Sequence, residues 1–95
     1  MIEKKLIKAM MDDYKDAEML YDYAKECKEH KDKEHAMLFI GWAKKRYDMA
    51  LEKHKMINNM MDKHEEKEVA LYWVLHESIM DEYSHLGEKI NTFMA

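Results

Sequence analysis

The sequence predicts an all-α chain folded as an antiparallel bundle of three long helices, completed by pairing with a second copy. Three observations carry that expectation. The 95 residues include no proline and only two glycines, which removes the residues that hairpins and tight turns depend on. Apolar residues make up 47% of the chain and charged residues 38%, the mixture of long amphipathic helices rather than of a disordered tail. Apolar positions recur three and four residues apart along most of the chain, the period of one helix face. A single domain over 1–95 buries only a modest core, so a partner subunit is expected.

The first helix is expected over about residues 3–30, where Leu6, Met10, Ala17, Leu20, Ala24 and Cys27 share a face. The polar stretch Glu29-His-Lys-Asp-Lys33 ends it, and Asp32 is placed to cap the next helix. The second helix, about 33–63, carries Phe39, Ala43, Ala50, Ile57 and Met61, flanked by Trp42, Met49 and Met56. A second polar run, Asp62 to Glu68, precedes a third helix over about 66–93. Its apolar line is Val69, Trp73, Met80, Tyr83, Ile90 and Met94, with Tyr72, Ile79, Leu86 and Phe93 beside it. Gly41 and Gly87 fall inside these patterns and read as points of close helix approach rather than breaks. The stretch 69–75 is apolar on every side, which an outer helix of a monomer has no use for. Val69, Leu71, Tyr72, Trp73 and Leu75 are therefore the expected homodimer interface.

Charge and composition exclude several functions. A net charge of −4 gives no general attraction to a nucleic-acid backbone. The longest apolar runs, 36–43 and 69–75, are far short of the roughly 18 residues that span a bilayer. Residues 1–11 lack the apolar core of a secretory signal. The single cysteine, Cys27, fits a reduced cytoplasmic chain in which it packs as a small hydrophobe. By thirds the chain carries −1 over 1–31, +2 over 32–64 and −5 over 65–95, compatible with packing the second helix beside the third. No nucleophile–base pair, phosphate-cradling glycine loop or cofactor motif is present, and no enzyme or cofactor is expected.

Chemistry is sought where polar residues interrupt the apolar lines. These are Asp13 in the first helix, Arg46 in the second and His76 in the third. With the chain folding back near residue 31, Arg46 comes within one turn of Asp13's level. An interior Asp13–Arg46 pair is the expectation, since each alone would be costly to bury, with Tyr83 or Ser84 as further partners. His76 falls level with His54 and is read as a structural interior histidine. Glu82-Tyr-Ser-His85 has the spacing of a di-iron ligand pair, but on this helix it points away from the core. Glu77, Glu82 and His85 thus form only a weak alternative metal set, and a solvated face explains them. The eleven methionines read as adaptable core and interface filler rather than a copper site.

The stretches Asp13 to Ala24 and Lys33 to Ala50, the second containing Ala43-Lys-Lys-Arg46-Tyr-Asp-Met49-Ala50, resemble the first helical hairpin of the ferritin-like, rubrerythrin-type superfamily. Tyr72-Trp-Val-Leu-His-Glu77 and Glu82-Tyr-Ser-His-Leu86 are similar to the third helix of small three-helix ferritin-like proteins of Gram-positive bacteria and their phages. The resemblance implies a ferritin-like bundle whose di-iron ligands are largely lost. Arg46 stands where the family has a glutamate and Met49 where it has a histidine, while Asp13 keeps a shorter carboxylate. It also implies a non-enzymatic helical assembly protein of phage or prophage origin; the alternative is a residual metal-binding or redox protein.

Overall fold

A computed structural model describes the backbone of residues 4–61 and 66–95 and the side chains of 4–60 and 74–95. The described residues are all-helical, with no strand. α1 runs Lys4–Glu29, α2 Lys33–Met61, α3 Glu66–Tyr83 and α4 Leu86–Met94. The molecule is a rod of 52 × 19 × 18 Å with a radius of gyration of 15.3 Å, against about 13 Å for a compact chain of this length.

α1 and α2 form the principal hairpin. Its seam is built from small residues spaced seven apart, Ala17 and Ala24 on one helix, Ala36, Ala43 and Ala50 on the other, each at most 3% exposed. Side chains that small let two helix backbones lie close along their length. Met10, Ile40 and Ile57 fill the larger gaps. The turn is short because Lys31 adopts a left-handed φ of 63° and Asp32 starts α2. One Asp32 carboxylate oxygen accepts from the His35 backbone N–H at 3.2 Å, and the other meets His35 Nδ1 at 2.8 Å. The backbone bond, ahead of the other influences, holds the Asp32 carboxyl below its ordinary value.

The third arm differs from the single helix expected over 66–93. It breaks at Ser84–His85, and α4 starts again at Leu86 and packs on α2. Ser84 and Gly87 are poor helix formers placed three residues apart, and Gly87 supplies the close approach expected of it. A Cβ there would stand 2.6 Å from Tyr47 Cε1. Gly41, read the same way, faces open space instead, with nothing within 4 Å of a Cβ. Among the described residues the arm's core side chains are Ile79, Tyr83, Leu86 and Ile90, whereas Met80 and Met94 are exposed. No helix is long and apolar enough to cross a membrane among the described residues.

Candidate functional site

The polar interior lies where α1, α2 and α3 meet. Tyr14 on α1 is its hub. Its ring stacks on Tyr83 of α3 at 5.0 Å and 11°, tilts against Tyr47 of α2 at 5.6 Å, and stands edge-on to His54 at 6.4 Å. The Tyr14 hydroxyl and His54 Nδ1 are hydrogen-bonded at 3.1 Å. His54 in turn meets His76 of α3, ring centroids 4.9 Å apart and planes at 74°. Burial first, and His76 second, hold the His54 imidazole below its ordinary value, so it is neutral at pH 7.

Tyr83 is 2% exposed, and its buried hydroxyl makes no hydrogen bond among the described residues. Burial, then the Glu82 and Glu18 carboxylates acting electrostatically, push its pKa up to about 12. Burial also raises Tyr47, and a hydrogen bond with the Gly87 backbone opposes that rise. Between α2 and the third arm a cleft of about 290 Å³ opens beside this cluster, lined among others by Leu51, His54, Asn58, His76 and Met80.

Asp13 lies at the neighbouring level of the hairpin and is 6% exposed. Its Oδ1 is 3.6 Å from Arg46 Nη1, but Arg46 keeps 47% of its side chain in solvent and so flanks the carboxylate from the rim. The direct partner is Lys53, whose Nζ donates to Oδ2. Sequence reasoning missed Lys53, although it lies seven residues after Arg46 on the same face. Neither Tyr83 nor Ser84 completes this cluster: the first has its hydroxyl unbonded and the second is exposed. Asp13 is thus held between two cations, Lys53 bonded to it and Arg46 at the rim.

The remaining expected residues fall in several places. Val69, Leu71, Tyr72 and Trp73 lie outside the described side chains. Leu75 packs on the bundle's own core, while its neighbour Val74 is 73% exposed. Glu77, Glu82 and His85 are all exposed, and His85 sits at the helix break, 3.8 Å from Glu88. No three of His, Cys, Asp and Glu come together to hold a metal among the described residues.

A second concavity lies on another face of the α1–α2 hairpin. It is a groove of about 590 Å³ lined by Asp16, Met19 and Leu20 of α1 and Trp42, Lys45, Arg46 and Met49 of α2. Trp42 is 47% and Met19 46% exposed. Among the described residues, none of α3 or α4 contributes to its lining. No family model, curated protein or solved structure matches this chain.

Proposed function

We propose that this chain is a non-enzymatic assembly subunit that pairs with a second copy through the α1–α2 groove, giving a ferritin-like bundle of four helices. The observation that carries this reading is an open groove holding the half-exposed Trp42 and Met19, to which, among the described residues, the third arm contributes nothing. A tryptophan half in water on a helix seam is the kind of anchor that interfaces bury. The groove is also self-complementary in charge. A two-fold axis parallel to the hairpin lays each copy's α1 over the other's α2 at the same height. Asp16 of one copy then faces Lys45 and Arg46 of the other. A stable interface takes roughly 800 Å² from each partner, about an eighth of the 6903 Å² surface, which a 52 Å rod supplies along one side.

A second reading keeps the pairing but moves it to the third arm, and the 73% exposure of Val74 favours it. Light scattering at micromolar concentration separates the two. Trp42→Glu is expected to convert a dimer to a monomer with helicity unchanged, because the side chain already lies at the surface. Trp73→Glu is expected to leave the dimer intact. The opposite pattern moves the interface to the third arm, and a wild-type chain that is a strict monomer removes the proposal. A phage or prophage setting in a reducing cytoplasm is proposed with it, on the resemblance and on the lone, half-buried Cys27.

A further inference from the structure

Nearer the turn, the α1–α2 hairpin carries a second hollow of about 360 Å³. Its α1 liners Tyr23, Glu26 and Cys27 lie seven residues after Asp16, Met19 and Leu20, which line the groove around Trp42. On α2, its liners Phe39 and Asp32 lie seven and fourteen residues before Arg46. Seven residues are two turns of helix, about 10 Å, so the two hollows are successive holes on one face. Rings bridge them: Tyr23 meets Phe39 at 5.8 Å, and Phe39 meets Trp42 at 5.6 Å. A face that repeats every seven residues stays in contact with a partner helix along its whole length. The groove alone is also too short for a stable pair. Its liners span residues 16–20 and 42–49, about 6–10 Å of helix, against the roughly 800 Å² that each partner gives up. Tyr23 and Leu38, both half exposed, continue the apolar surface toward the turn.

Charge decides how a second copy lies on this face. On α1 its carboxylates are Asp16 and Glu26, and on α2 its fixed cations are Lys45 and Arg46. Two-fold pairing with the turns at opposite ends lays α1 on α1, acid against acid, and α2 on α2, cation against cation, a like-charge arrangement that disfavours it. Pairing with the turns at the same end lays α1 on α2 instead. Residues equally far from the turn share a height, as Tyr23 and Phe39 do, so Glu26 then comes beside the other copy's His35, and Tyr23 against its Phe39. We infer that the interface runs from the Trp42 groove into the turn-end hollow, and that the two copies pair with their turns at the same end. This inference rests on pairing through the groove and adds the extent and the direction of that pairing.

Two measurements on the full-length chain test it. Sedimentation equilibrium is expected to show Tyr23→Glu weakening the dimer at least tenfold. Met37→Glu, equally exposed but on another face of α2, is expected to leave it unchanged, and circular dichroism to show both variants fully helical. For direction, Cys27→Ser removes the native thiol, and Lys8→Cys, exposed and outside the paired face, carries a spin label. Pairing at the same end sets helices that pack 8–10 Å apart diagonally across the bundle and holds the two labels within about 30 Å. Pairing at opposite ends separates them by about 40–45 Å along the rod. A dimer that Trp42→Glu breaks and Tyr23→Glu leaves intact overturns the turn-end extension alone. The longer label distance overturns the direction alone, and a monomeric wild type overturns the pairing on which both rest.

Discussion

Gly87 allows the contact between the third arm and the hairpin to be tested by a change of sign. Adding a Cβ there places it 2.6 Å from Tyr47 Cε1, 2.8 Å from the hydroxyl oxygen and 2.9 Å from Cζ. Ordinary contact begins near 3.4 Å, so ring and helix must separate by about 0.8 Å. Overpacking of that kind costs about 1–3 kcal/mol. Against it stands the helix propensity gained on replacing glycine by alanine, about 1 kcal/mol. Gly87→Ala is therefore expected to destabilise wild type by about 1 kcal/mol, or roughly 4–8 °C in melting temperature for a chain this size. In a Tyr47→Leu background the outer ring atoms are gone and only the propensity remains. The same substitution should then stabilise by roughly 0.5–1 kcal/mol, a coupling near 2 kcal/mol. Urea melts of the four proteins followed at 222 nm, at one fixed concentration because association shifts apparent stability, measure both effects. Equal effects of Gly87→Ala in the two backgrounds would refute the contact.

Three further outcomes are expected. Lys53→Met leaves the buried Asp13 carboxylate without its hydrogen-bonded cation and should cost about 1–3 kcal/mol in urea melts, whereas Arg46→Met, at the exposed rim, should cost under about 1 kcal/mol; the reverse order would overturn the assignment of Lys53 as the main partner. Tyr83→Phe removes a buried hydroxyl that bonds to nothing described, so its melting temperature should equal or exceed wild type, and a clear loss would reveal a hidden partner. Asp32 has its pKa lowered on folding, so its stabilising effect is complete above the unfolded value near 3.8 and fades as pH falls through the folded one. Asp32→Asn should accordingly flatten the acid limb of a stability–pH curve and leave the difference between pH 6 and 8 unchanged.

Helix periodicity makes the hairpin legible. Spacing alone places Met10, Ala17 and Ala24 on one face and Ala43, Ala50 and Ile57 on another, and all are fully buried. The polar interruptions are legible only in part: a residue that breaks a seven-step apolar line must be paired or solvated, and of the three Asp13 is buried, His76 is half-buried and Arg46 keeps 47% of its side chain in solvent. Spacing does not distinguish among several cations on one face. Arg46 and Lys53 lie seven apart on α2, and only the rise of the chain past Asp13 decides that Lys53 closes the bond. The helix break is not legible because Ser84 and Gly87 weaken a helix without fixing where it ends, and spacing alone reads Gly87 as a contact rather than a break. The tyrosine stack of Tyr14, Tyr47 and Tyr83 escapes a sequence reading because tyrosine fits both an apolar face and a wet one. Gly41 misleads from the opposite cause, a small residue that suggests contact when it lies on the solvent side.

The alanine seam has a kinetic consequence. Its partners are joined by residues 30–32 alone, so α1 and α2 find each other at little loop-closure cost. Among the described residues, the third arm adds the buried side chains of Ile79, Tyr83, Leu86 and Ile90 to a hairpin already paired along its length. The chain should therefore open in layers. Amides along the seam should exchange with solvent only on global unfolding, while those of α4 exchange through detachment of the arm at lower cost. Each such opening lifts Tyr83 off Tyr14.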